Sequence, residues 1–348
     1  MPPARSRRVV IAPDSFKGSI SAAEAARAIA TGWLPVRPHD DLSHLPMADG
    51  GEGTLDALAL PNTSTWHILG VTGPDGRPVE AAWLLLGDGT AVVEVAQTSG
   101  LPLMATPDAL GATSRGLGDL LAAVAREPEV RRIVVGLGGS ASTDGGRGAL
   151  EALGTVPPPR GGVVCLTDVT APLLGPRGAA RQFGPQKGAS PADVEVLEDR
   201  LRAWAALLGG DPDQPGAGAA GGIAFGLATR WGAVLRPGAP YVASAIGLDA
   251  AVADADLVVT GEGSFDGQSL QGKATGHVLE IAARYDRPAL VACGRAGLRA
   301  HEGVLAVVET SRLAGSAAAS MAEAARWLTE AGGRMAALAT DPPRSPDV

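Results

Sequence analysis

The most constraining feature of this chain is a local pattern that recurs: a short apolar run, a glycine-rich turn, then an alanine-rich amphipathic stretch. A strand that feeds a turn and a helix is the opening of a βαβ unit, and a series of such units builds a parallel sheet covered by helices. Val9–Ala12, the turn Pro13–Ser19 and a helix over about Ala22–Trp33 make the first unit. Ser21 and Glu24 have capping-box spacing, which marks where that helix starts. Ile133–Val135 before a glycine loop, Leu257–Thr260 before Gly261–Gly272, Ala289–Ala292 and Val304–Val308 follow the same pattern.

Thr65–Ala96 differs. Turns at Gly73-Pro74-Asp75-Gly76 and Gly87-Asp88-Gly89 separate short runs such as Ala81–Leu86 and Ala91–Val95, which predicts hairpins and a mixed or antiparallel sheet. The length of 348 residues exceeds the ~250–300 at which a single core stops growing. The expected fold class is therefore α/β with two unlike α/β domains. A discontinuous Rossmann-like parallel-sheet domain covers 1–63 and 245–348, and a mixed-sheet domain covering 64–244 is inserted in it. Gly154–Gly162 and Gly209–Gly218 read as Pro/Gly-rich loops, and the tail Asp341–Val348 as disordered.

The composition excludes several functions. A net charge of -8 argues against nucleic acid as the main partner, because phosphate backbones are held by clustered Lys and Arg. Cys165 and Cys293 stand in separate apolar stretches and read as small buried side chains. The five histidines are scattered, so a structural zinc is not expected, and no G-x-S-x-G nucleophile elbow occurs. The basic start Arg5, Arg7, Arg8 precedes an apolar run, Val9–Ala12, too short for a signal peptide. No apolar run approaches the ~18–20 residues that span a bilayer. A cytoplasmic protein without membrane partners is expected.

In open α/β sheets ligands bind beyond the carboxyl ends of the strands, and the polar residues of this chain concentrate in those turns. Asp14-Ser15-Phe16-Lys17-Gly18-Ser19 offers a carboxylate, a lysine and hydroxyls near a helix N-terminus, where anions are attracted. Asp49-Gly50-Gly51-Glu52-Gly53-Thr54 places two acids among glycines, suited to a helix cap or to a magnesium or hydroxyl contact. Gly136–Ala141 satisfies the G-x-G-x-x-G/A dinucleotide fingerprint, which would suit a nicotinamide-dependent hydroxyacid dehydrogenase. Ser142–Gly146 prolongs that loop before any helix, however, and the next acid, Asp168, lies well beyond the expected spacing. A loop that cradles phosphate fits better, with Gly138, Gly139, Ser140 and Asp144 as its candidate contacts.

Gly267–Thr275 has P-loop spacing but carries Ala274 where the metal-binding Ser or Thr belongs. Lys273 at a helix start can still neutralise an anion. Glu262 and Asp266 bracket Gly263-Ser264-Phe265 just upstream, and Gln268 follows. Phosphoryl transfer needs metal-binding carboxylates, cations over the phosphates, and a group that orients or deprotonates the attacking hydroxyl, and this loop holds all three kinds. Asp168 in Leu166–Thr170 and Lys187 in Phe183–Ala189 are weaker candidates. Alone, they could be a turn residue and a surface lysine.

Taken in order, APDSFKGSISA, ADGGEGT, GGSASTDGG, TDVTAPLLG, FGPQKGA, GAAGG and TGEGSFDGQSLQGK resemble the successive signatures of the glycerate kinase family, over about Val9–Glu309. The resemblance implies two unlike α/β domains with an active-site cleft between them, ATP with Mg2+ as donor, and D-glycerate as acceptor. Transfer to the 2-hydroxyl is typical of the family, and 3-phosphoglycerate is the less expected product. The motif positions carried over are Asp14, Ser15, Lys17, Asp49, Glu52, Ser140, Asp144, Asp168, Lys187, Glu262, Asp266, Gln268 and Lys273.

From their chemistry, Asp168, Asp266, Lys273 and Lys17 are assigned to catalysis and Asp14, Ser15, Lys187 and Gln268 to the acceptor. Gly138, Gly139, Ser140 and Asp144 are assigned to the nucleotide, and Asp49, Glu52 and Glu262 to the metal. The chain departs from the family at Thr167, usually Cys, at Ala171, usually Asn, and at Thr143, often Asn, and it is shorter between Gly154 and Val163. A monomer or homodimer is expected. A non-catalytic binder of a small carboxylate is the remaining rival, disfavoured by the many acids in the loops.

Overall fold

The computed structural model describes residues 6–59 and 63–339. The predicted disordered tail Asp341–Val348 and Arg5 lie outside them. The chain divides into two compact units, with breaks between Ala48 and Asp49 and between Tyr241 and Val242.

The discontinuous unit carries a five-stranded sheet in the order Val304–Glu309, Ala289–Ala296, Leu257–Phe265, Arg8–Ile11, Asp41–His44, with every neighbouring pair parallel. Strands buried on both faces are apolar in a continuous run rather than alternating, as in Val9–Ile11 and the start of Leu257–Phe265. Ser21 starts the helix Ala22–Trp33 as predicted: the Glu24 N–H donates to Ser21 Oγ at 3.3 Å and the Ser21 N–H to Glu24 Oε2 at 3.2 Å. That helix packs on Ala324–Leu338 from the far end of the chain, with Gly32 and Gly332 against the partner backbone where a side chain would collide. Ile29, Trp33, Val259, Leu290, Leu328 and Met335 fill the core between helices and sheet.

The strand order reverses direction between Arg8–Ile11 and Leu257–Phe265, which makes their carboxyl ends a topological switch point. The second of these strands is longer than its apolar run predicts. Gly261–Phe265, expected as a loop, stays in the ladder because Ala292, Cys293, Arg295 and Ala296 pair with it.

The inserted unit has a six-stranded mixed sheet: Ser64–Thr72, Pro78–Leu86, Thr90–Glu94, Arg132–Gly136, Val163–Leu166, Val234–Arg236. The first two pairings are antiparallel, in the region of the predicted hairpins, and the rest are parallel. Its core joins Val93, Ile133, Val135 and Cys165 of the sheet to Leu117, Leu121, Ile223 and Leu227 of the helices. Cys165 and Cys293 are both buried free thiols, each pushed up to about 12 by burial, so neither is poised to react. No helix among the described residues is long and apolar enough to cross a membrane.

Candidate active site

At the switch point of the discontinuous unit, the loops after two adjacent strands are joined. The Ala12 N–H donates to Val259 O and the Asp14 N–H to Gly261 O, both at 2.8 Å, and Thr260 Oγ1 donates to Ala12 O. Asp14 is buried and accepts the Ser15 N–H at 2.7 Å, and Ser15 is half-buried. Lys17 is exposed at the tip of the short turn closed by Phe16 and Ile20.

Glu262 lies beside this turn, facing the Asp266 loop. Burial raises its carboxyl above the usual range, against the lowering influence of hydrogen bonds from Ser269 and Thr275 and of the Lys273 charge. Its Oε1 is buried without a hydrogen-bond partner. Such an oxygen suits a hard cation, and Mg2+ ordinarily takes only one or two carboxylates and completes its shell with water and phosphate. Among the described residues no three His, Cys, Asp or Glu side chains group as an all-protein metal cage.

Asp266 organises its own loop: Oδ1 accepts the Gln268 N–H at 2.8 Å, and its N–H donates to Ser269 Oγ at 2.9 Å. Gln268 is exposed. Half-buried Lys273 is the N-cap of Ala274–Arg284, where its charge adds to the positive end of the helix.

In the inserted unit the turn Asp49–Glu52 lies against the carboxyl ends of the parallel strands. Asp49 Oδ1 accepts the Gly51 N–H at 3.1 Å, which shapes the turn, while Glu52 is exposed. The two glycine motifs read separately in sequence touch here: a Cβ on Gly138 would fall 2.5 Å from Gly51 Cα. Gly139, Ser140 and Asp144 follow in the loop, and the next helix begins only at Arg147, too late for the dinucleotide fingerprint.

Asp144 is fully engaged. Its Oδ2 accepts from the Ser114 N–H at 2.9 Å, Ser114 Oγ at 2.7 Å and the Gly148 N–H at 3.1 Å, and its Oδ1 from the Gly146 N–H at 3.0 Å. Lys187 is 2% exposed and donates to Ser140 Oγ at 3.0 Å and Ser142 O at 2.6 Å. Burial pushes its ammonium down to about 7, opposed by the charge of Asp144. Asp168 is half-buried just beyond Val163–Leu166.

Sequence reasoning missed Glu94, which ends the strand Thr90–Glu94 opposite Gly136. It is buried and accepts the Leu55 N–H at 2.9 Å. Burial pushes its carboxyl up to about 7, helped by the nearby Asp56 and Glu52 charges. An acid closing an apolar strand was the one available signal. Ser142 and Thr143 were also missed as candidates; their side-chain oxygens are buried without partners beside the Lys187 contact.

Comparison with known proteins agrees with these motifs. The sequence profile described as "Glycerate kinase family" matches residues 9–157 and 159–340. The chain is 39% identical to glycerate 2-kinase of Escherichia coli over 326 residues, covering 82% of this chain and 85% of that one. It is 40% identical to glycerate kinase of Bacillus subtilis over the same share of each. A crystal structure described as glycerate kinase 2 from Salmonella typhimurium LT2 superposes with a TM-score of 0.78 at 36% identity, covering 96% of this chain and 98% of that one. The chain belongs to the glycerate kinase family.

Proposed function

We propose that this chain transfers the γ-phosphoryl group of ATP to D-glycerate, giving 2-phosphoglycerate rather than 3-phosphoglycerate. The observation that carries the reading, besides family membership, is the switch point at which Asp14, Lys17, Glu262 and the Asp266–Lys273 loop follow adjacent parallel strands.

In this reaction a bond forms between the acceptor hydroxyl oxygen and the γ-phosphorus, and the bond to the β–γ bridging oxygen breaks, releasing ADP. Asp168 or Asp266 takes or orients the hydroxyl proton. Lys17, Lys187 and Lys273 hold the carboxylate of the acceptor and the phosphates, with Asp14, Ser15 and Gln268 around the acceptor. The loop from Gly138 and Gly139 through Ser140 to Asp144 supports the nucleotide. Glu262, with Asp49 or Glu52, would hold Mg2+, which neutralises phosphate charge when bound. A kinase that draws on ATP belongs in the cytoplasm.

The test is incubation of the full chain with Mg-ATP and D-glycerate, following ADP release and the phosphorus NMR spectrum of the product. A 2-phosphate resonance is expected. A 3-phosphate would move the attack to the other hydroxyl, and absence of transfer would overturn the reading.

A further inference from the structure

We infer that the strand Ser64–Thr72 is the surface by which two copies of this chain join, edge to edge about a two-fold axis at Ile68. The inference is independent of the reaction proposed above. The strand forms one edge of the mixed sheet and is nine residues long, paired in unbroken register with Pro78–Leu86 on its inner side. Among the described residues no strand pairs with its outer side.

The Thr72 N–H turns outward, to Asp119 Oδ2 at 3.1 Å, while the Gly73 N–H turns inward, to Arg77 O. Because the direction alternates along an antiparallel strand, Gly70, Ile68 and Trp66 also present N–H and C=O outward. The side chains of Ile68 and Trp66 share one face of the sheet, where Ile68 is 70% and Trp66 47% exposed.

Edges in soluble proteins are guarded by shortness, charge, proline or a bulge. Asp41–His44 and Val234–Arg236 are short and carry charges. No residue within Ser64–Thr72 supplies such a guard, and the Asp119 carboxylate sits at its Thr72 end, outside the span Trp66–Gly70.

A second copy is the occupant this edge fits. Antiparallel pairing centred on Ile68 sets Ile68 against itself and Trp66 against Gly70 of the other copy, so each indole covers a glycine, and the strand carries no Asp, Glu, Lys or Arg to repel its copy. The net charge of -8 on each chain opposes the approach, so added salt should strengthen it.

Sedimentation of the full chain at micromolar concentration, in low and high salt, tests the proposal. A dimer that tightens with salt and that Ile68→Lys converts to a folded monomer is expected. Oxidative cross-linking tests the register: in this pairing the residue 68 Cα atoms lie about 5.5 Å apart, inside the span of about 4.4–6.8 Å that a disulfide bridges. Ile68→Cys should therefore cross-link to itself, and Trp66→Cys only to Gly70→Cys. The native thiols are buried and should not compete. A wild-type monomer under all these conditions, or a dimer indifferent to Ile68→Lys and uncross-linked through Ile68→Cys, would overturn it.

Discussion

In the two units, the loops at the carboxyl ends of the parallel strands use their polar residues in opposite ways. In the inserted unit Lys187, Asp144 and Glu94 are turned inward and spend their hydrogen bonds on neighbouring loop backbone and hydroxyls. In the discontinuous unit Lys17 and Gln268 are exposed, Lys273 is half-buried, and Glu262 keeps an oxygen without a partner. Inward groups hold loops that hydrophobic packing alone cannot shape. Outward groups face solvent, where a ligand can reach them. Substitutions should thus cost stability as well as turnover in the inserted unit, and turnover alone in the discontinuous unit.

The largest effect should come from Lys273→Ala. Removing a cation that offsets phosphate charge is expected to lower kcat/KM by about 10³-fold, about 4 kcal/mol, with the melting temperature nearly unchanged. Equal losses of stability and turnover would erase the contrast between the units. Next comes Asp144→Ala, which strands N–H groups of Ser114, Gly146 and Gly148. It should cost about 3 kcal/mol in urea unfolding. A stable but inactive variant would instead assign Asp144 to the ligand.

The smallest effect, and the sharpest in form, concerns pH. Below 4.5 Glu94 is protonated in folded and unfolded chains alike. Between 4.5 and about 7 the unfolded chain releases a proton that the folded chain keeps, so stability falls as pH rises, and the loss is complete above about 7. Lys187 acts oppositely: from about 7 to 10.5 the unfolded chain holds a proton that the folded chain lacks, and stability rises with pH. Together these groups predict a minimum near neutrality. Glu94→Gln keeps an acceptor for the Leu55 N–H and should flatten only the acid limb in pH-dependent urea unfolding. An unchanged acid limb would show that Glu94 is not the titrating group.

Where structure follows from neighbouring residues, the sequence was legible. The Ser21–Glu24 cap and the parallel strands were readable because each depends on a short window. The glycine motifs were found, but not that Gly51 and Gly138 are small because their backbones meet. Glu94 was passed over inside an apolar run. Its burial depends on the strand and on Thr54–Ala59, whose sequence lies far from it. Lys187 in Phe183–Ala189 reads equally well as a surface lysine, and only the fold buries it against Ser140 and Ser142. Contacts between distant segments leave no local trace.

The pairing of Val9 with Leu257 has a consequence for biosynthesis. As the nascent chain leaves the ribosome, its first strand emerges long before the partner that completes its sheet, and it must wait unpaired while the insertion is made. The insertion can reach its own compact state during that interval. Clipping either terminus would then strike the same late-forming module and leave the early one standing.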